Sequence, residues 1–303
     1  MQHSPAGSID LVRPRSIMPA EAPSLGGAGY EVRLALKPSE IEAAQSLRYE
    51  VFRTRASACI SGGTALRDAD EFDSACAHII VLDRREHEAC EIQNGRAEWR
   101  FKESARSPGL GCIAATCRIA GRLGLDGPSA FWSGREFEIA GFLEAHRGSR
   151  IFELGRVCVR KEYRGGRVLE ALLQGIWTFC LLRRADFIVG CASFEKADIA
   201  LHTPALAFLR EQALAPAVWG VNAISPAGAA RRFEPPDMKA AAFDIRALPP
   251  LIRGYLKLGA LFCEGAAEDP DFDTTDVFTI LRVSDIGARY VRHLGTDAGS
   301  RAA

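Results

Sequence analysis

The sequence predicts an α/β protein in which a mixed central sheet is flanked by helices. Three stretches carry that prediction. In the first, "IFELGRVCV" and "DFIVGCASF" are apolar runs of strand length, separated by "GRVLEALLQGIWTFCLLRR", which is apolar nearly all round. Such a helix must be sandwiched against a sheet, and a strand–helix–strand unit of this kind joins parallel strands by a right-handed crossover. In the second, "YEVRLALKPSEIEAAQSLRYEVFR" reads as strand, turn and helix. In the third, "TTDVFTILRV" supplies a closing strand rich in β-branched residues.

The elements follow in order. Val32, Leu34 and Leu36 alternate with other residues as in a half-buried strand. Pro38 breaks the strand. Ser39 is placed to cap the next helix, with Glu42 completing a capping box. Ile41, Ala44, Leu47 and Val51 then recur at helical spacing. The acidic segment in "RDADEFDSACAHIIVLDR" is a loop, and "HIIVLD" a strand in which His78 is a hydrogen-bonded core residue. Residues 84–109 are polar, of mixed charge and without periodicity, as expected of an insertion. "GCIAATCRIAGRL" is a buried strand. Residues 215–247 are rich in Ala and Pro and read as largely irregular. "LPPLIRGYLKLGALF" begins with prolines and continues as a helix, and "DIGARYVRHL" forms a short helix after the last strand. Residues 1–29 are rich in Pro, Gly, Ala and Ser and lack the apolar core of a signal peptide. They read as a flexible tail before a single domain spanning 30–303.

Composition excludes several classes. Of the 303 residues, 48% are hydrophobic and 25% charged, ordinary for a globular chain. Lys+Arg and Asp+Glu balance at 38 each, so the basic excess of a general nucleic-acid binder is missing. Nine cysteines are scattered without a CxxC pair or a ligand-spaced His/Cys cluster. They read as reduced, buried thiols of a cytoplasmic protein, with no metal site. No charge-free apolar run reaches the length of about 18 residues needed to span a membrane.

The strand "FELGRVCV" places Glu153 and Arg156 among Phe152, Leu154, Val157 and Val159. Charges are costly to bury unless they are paired or put to use. Residues three apart leave opposite faces of a regular strand, and a β-bulge between them brings both to one side. A carboxylate in an apolar strand has a raised pKa and suits proton abstraction from an amine. The alternative is a buried pair that fixes neighbouring strands.

Five stretches in order, "LRYEVFR", "DEFDSACAHIIVLD", "ELGRVCVRKEYRGG", "IVGCASFE" and "LPPLIRGYLKLGA…DPDFDTTDVF", resemble the GNAT acyltransferase superfamily. Within it they resemble the ornithine–acyl-carrier-protein N-acyltransferases that make lyso-ornithine lipid, and more distantly the acyl-homoserine-lactone synthases. The resemblance implies a GNAT-like fold with a C-terminal extension. It also implies transfer of a 3-hydroxyacyl chain from acyl-carrier protein to the α-amino group of ornithine, with no cofactor beyond the carrier's phosphopantetheine. Glu153 and Arg156 are then the catalytic pair. Arg48, Phe52, Asp70, Asp73, Arg118 and Asp276 would bind the amino acid, whose two ammonium groups and one carboxylate call for acids and an arginine. Val157, Val159, Arg164, Gly165 and Gly166 would hold the acyl-phosphopantetheine. No tyrosine lies between Ser193 and Gly254 to protonate the leaving thiolate, and His202 and Tyr255 are the remote substitutes. The helix around Arg253 and Lys257 is either internal and amphipathic or in peripheral contact with an anionic membrane. Two other functions stay open: an amine N-acyltransferase using acyl coenzyme A, and a non-catalytic acyl-binding regulator.

Overall fold

The computed structural model describes residues 29–53, 67–83, 112–123, 131–165, 167–224 and 243–287. Strand β1 (Tyr30–Leu34) leads into helix α1 (Pro38–Arg53), followed by β2 (Ala77–Asp83) and β3 (Cys112–Leu123). A two-residue strand β4 (Phe137–Glu138) and a short helix α2 (Ala140–Ala145) precede β5 (Arg150–Val159). Helix α3 (Arg167–Leu182), β6 (Phe187–Glu195) and α4 (Ile199–Ala213) come next. The chain closes with β7 (Asn222–Ala223), α5 (Pro250–Leu258), β8 (Leu261–Phe262), β9 (Ala267–Asp269) and β10 (Thr274–Arg282).

The main sheet runs β1-β2-β3-β5-β6-β10-β8, with β9 also on β10, while β4 and β7 pair separately. Among the strand pairings of the described residues, β5 with β6 is the parallel one, as the crossover through α3 requires. Helix α3 buries Leu172, Ile176 and Phe179 against Val32, Ile79, Cys117, Phe152 and Ile188 on one face. Helices α4 and α5 continue that layer over Phe194 and Val277. On the opposite face, α1 covers Ile80, Leu82, Ile113 and Cys158, while Phe131, Phe137, Phe142 and Trp219 cover Ile151, Val189 and Phe278. A band of polar and charged side chains lies between those two apolar patches, and the candidate site is built there.

Four expectations are corrected or extended. Leu36 lies beyond β1 and is 68% exposed. The start of α1 is not a Ser39–Glu42 box. Pro38 opens the helix, and Glu40 reaches back to accept from the main-chain N–H of Leu36 at 2.7 Å and of Lys37 at 3.1 Å. Residues 131–149, to which periodicity assigned no element, hold β4, α2 and a 3-10 turn at Trp132–Arg135. Within 215–247, Ala217–Trp219 form a 3-10 turn and β7 follows, whereas 225–242 fall outside the described residues. The tail over 1–28, the insertion over 84–109 and the end of the last predicted helix also fall outside them.

Candidate active site

The site starts from an irregularity in β5. Arg118 pairs with Gly155, but Thr116 pairs with Cys158, so Cys117 faces both Arg156 and Val157. This is a β-bulge, and Arg156 sits in it with φ at 52°, a conformation rare outside glycine. The extra residue switches the alternation. Glu153 before it and Cys158 after it share the α1 face, and Arg156 turns to that side as well.

Pairing between β5 and β6 is brief. It joins Ile151, Phe152 and Glu153 to Phe187, Ile188 and Val189 and then stops, although both strands continue. At the point of divergence Gly190 passes the main chain of β5 so closely that a Cβ there would lie 2.4 Å from the Leu154 carbonyl oxygen. The strands therefore splay towards their C-terminal ends, leaving 154–159 and 190–195 unpaired with each other.

Three arginines and three aspartates interlock beside the bulge. Arg48 Nε donates to Asp68 Oδ2 at 2.8 Å, and its Nη1 to Asp73 Oδ1 at 2.8 Å. Arg118 Nη1 donates to Asp70 Oδ1 at 2.5 Å and Asp73 Oδ1 at 3.0 Å. Arg156 Nε donates to Asp68 Oδ2 at 3.0 Å. Gln45 and His78 complete the cluster, bonding the Asp73 carboxylate at 2.9 Å and its carbonyl oxygen at 3.0 Å. Burial alone would raise the Asp73 carboxyl, but the Arg48 and Arg118 bonds outweigh it and hold the pKa well below the usual carboxylate range. The six formal charges cancel, which is how so polar a group is buried. Trp132 lies against it, with Arg156 Cζ 4.2 Å from its ring centroid.

Glu153 is not paired with Arg156. Its Oε2 accepts from the Trp132 main-chain N–H at 2.8 Å, and its Oε1 from the Ser133 main-chain N–H at 2.8 Å and the Ser133 hydroxyl. Burial raises its pKa, and these Ser133 and Trp132 bonds offset part of the rise. These three bonds leave one acceptor position of the carboxylate, on Oε2, for a further donor. Ser133 is joined in turn to Cys191 Sγ at 3.3 Å, and Cys191, Glu136 and Asp276 bring their polar atoms within 4.8 Å of one another. Burial, followed by each acid's negative neighbours, raises the pKa of both Glu136 and Asp276.

At the splayed ends of β5 and β6 lies a cavity of about 440 Å³, bordered by Glu50, Lys161, Arg164, Glu195, Lys196 and Phe272. Phe52 packs edge-on against Phe272, with ring centroids 5.5 Å apart. Val157 and Val159 are half-buried on the unpaired part of β5. Gly165 adopts φ 78° in the turn before α3, and Gly166 falls outside the described residues.

Of the residues selected from sequence, Arg48, Asp70, Asp73, Arg118 and Arg156 meet in one cluster. Glu153 and Asp276 lie on the same sheet face; Arg164 lines the cavity and Phe52 packs on its Phe272, whereas Val157 and Val159 pack against the core beneath α3 and Gly165 stays in the turn before that helix. The remote substitutes stay remote: His202 stacks on Phe194, and Tyr255 packs in the core. Asp68, Trp132, Ser133, Glu136 and Cys191 were not selected. Asp68 had a signal, as the first acid of the "DADEFD" run. The others reach the site only through the fold of 131–136 over the sheet.

The family profile described as an acetyltransferase (GNAT) domain matches residues 47–174. Over 292 residues the chain is 36% identical to the L-ornithine N(alpha)-acyltransferase of Agrobacterium fabrum, covering 95% of this chain and 93% of that protein. It is 35% identical to the protein of that name from Rhizobium meliloti over 274 residues, covering 90% and 86%. Among solved structures it is similar to the CoA-dependent acyl-homoserine lactone synthase MesI, with a TM-score of 0.44, 12% identity and coverage of 87% of this chain and 93% of that one. The chain is a GNAT acyltransferase and belongs to the L-ornithine N(alpha)-acyltransferase family.

Proposed function

We propose that this acyltransferase moves a 3-hydroxy fatty acyl chain from the phosphopantetheine thioester of acyl-carrier protein to the α-amino group of ornithine, giving a lyso-ornithine lipid. The observation that carries this reading is the likeness over nearly the whole chain to relatives named as L-ornithine N(alpha)-acyltransferases. The splay between β5 and β6 supports it, because unpaired strand edges offer main-chain groups to an extended thioester arm. The cavity at the open end is bordered by cations and acids together, and with Lys196 paired to Asp273 at 2.8 Å, Lys161 and Arg164 are the cations offered to a phosphopantetheine phosphate. In this reading Val157 and Val159 flank the arm, and the bulge at Arg156 and Val157 provides main-chain polarity beside the thioester carbonyl.

The reaction needs a neutral amine. The nitrogen attacks the carbonyl carbon, the C–N bond forms, the C–S bond breaks, and the amine proton passes to a base. Glu153 is that base: the Ser133 oxygen takes the amine proton as its own hydroxyl proton passes to Glu153 Oε1. The Arg–Asp cluster holds the Trp132 turn; Arg48, 0% exposed and bonded through all three nitrogens to Asp68 and Asp73, belongs to that scaffold, and Arg118 attracts the acceptor carboxylate. The thiolate, with a pKa near 8.5, leaves without a dedicated acid. Purified protein given ornithine and 3-hydroxyacyl carrier protein is expected to release carrier thiol and form N-acylornithine. Faster release from acyl coenzyme A would shift the donor assignment, and no release with any amino acid would refute the reading.

A further inference from the structure

The pair formed by half-buried Glu136 and buried Asp276 is an acidic site that the transfer chemistry above does not use. Asp276 is 5% exposed, and its Oδ1 has no hydrogen-bond partner. Glu136 Oε2 is buried and likewise unpartnered, while Oε1 accepts from Trp132 Nε1 at 3.3 Å. Two carboxylates this close, each with a vacant oxygen, need either a shared proton or a cation between them. Around them stand Cys191 from β6, Asp269 from β9, and Ser193, the cross-strand neighbour of Asp276. No arginine or lysine donates to either acid among the bonds of the described residues. Ser193 is exposed, so the cluster meets solvent at that end. Phe137 and Phe278, 5.6 Å apart between ring centroids, belong to the apolar cluster beside it.

We infer that Glu136 and Asp276 receive the side-chain ammonium of the amino-acid acceptor and set the preference for a diamino acid. The inference rests on the proposed reading of ornithine as acceptor and deepens it. The reacting α-nitrogen must shed its proton, so a site built to hold a full positive charge suits the other nitrogen. An alkylammonium carries three donors and matches two converging carboxylate oxygens plus a hydroxyl such as that of Ser193. A divalent metal is the rival occupant. Glu136, Cys191 and Asp276 bring their ligand atoms within 4.8 Å of one another, so the chelation arm of the test decides between the two occupants.

The test compares ornithine with norvaline, which has the same carbon chain and no distal amine. The wild-type protein is expected to favour ornithine by about 100-fold or more in kcat/KM, because an acid pair left without its cation rejects the analogue. Asp276→Asn and Glu136→Gln are expected to lose most of that preference, mainly through a higher KM for ornithine. Norvaline turnover and the donor KM should stay within about threefold. Thermal melts establish that each variant is folded, and the two substitutions serve as independent readings of the same pair. An equal loss for both amino acids would overturn the inference. So would activity that chelation abolishes and zinc restores. If the wild type acylates neither amino acid, calorimetry decides: ornithine binding tighter than norvaline, and weakened in both variants, upholds this site while the transfer reading falls. Equal binding refutes both.

Discussion

Asp73 is the point where two buried guanidinium groups converge, and its removal leaves both short of a partner. Asp73→Ala is expected to cost about 3–5 kcal/mol, as for breaking a buried ion pair from one side. Asp73→Asn should cost less, because the amide oxygen still accepts one bond. Urea unfolding of the two variants checks the order, and equal midpoints would show that a neutral acceptor cannot stand in for the carboxylate charge. Glu153 presents the opposite case, an acceptor surrounded by donors. Glu153→Gln turns one oxygen into a donor facing the Trp132 and Ser133 groups, so a loss of about 1–3 kcal/mol is expected alongside any loss of turnover. The arginines and acids of this site were legible because charges inside apolar strands, or at fixed spacing before one, stand out. Their partners were not. Glu153 and Arg156 are close in sequence yet bond elsewhere, because the bulge turns Arg156 towards Asp68 while a distant turn supplies the donors for Glu153. Glu136 and Ser133 carry no local signal, since only the lie of 131–136 across the sheet brings them in.

Strands and helices were more readable than side-chain partners, because long apolar runs fix an element without fixing its ends. The order strand, helix, three strands, helix, strand, helix, helix, strand was legible throughout, with α3 and β6 matching within a few residues. The short pieces β4, α2, β7, β8 and β9 were not. Two or three residues carry no period, and their pairing depends on neighbours already in place. The cap of α1 was misplaced because Ser39 and Glu42 satisfy the same spacing rule as Lys37 and Glu40. Pro38, favoured at the first helical position, decides between them. Glu40 also accepts from Arg33 at 2.8 Å, which ties the helix start to β1. The β5–β6 seam is where element geometry bears most on the proposed chemistry. Gly190→Ala would force a methyl group against the Leu154 carbonyl, and the strands must shift to admit it. A loss of about 1–3 kcal/mol is expected. Because the shift falls where the strands part, the donor KM should rise more than the ornithine KM. An unchanged melt would mean that the seam is looser than drawn.

Over the whole molecule, two sets of acids pull the pH dependence of stability in opposite directions. Asp73 is depressed in the folded state. The unfolded chain therefore binds more protons in acid, and stability from this group, present above the ordinary range near pH 4, is lost as pH falls below it. Glu136 is raised by burial and then by Asp276 and Asp269, Asp276 by burial and then by Asp269, and Glu153 by burial. Between the ordinary carboxylate range and their folded values the native chain holds protons that the unfolded chain has released. Stability is then lost as pH rises. The expected profile is a maximum on the mildly acidic side, falling through neutrality. Asp276→Asn removes one member of the pair and one electrostatic neighbour of Glu136, Cys191 and Asp269, so its alkaline limb should be shallower and its midpoint at pH 8 closer to that at pH 6. Ornithine, if its ammonium occupies the same site, should raise the wild-type midpoint more at pH 8 than at pH 6, because more of the pair is then ionised and able to bind a cation. Urea midpoints at several pH values, with and without ornithine, measure both effects. Parallel alkaline limbs in the two proteins would show that the pair is not the source of the slope.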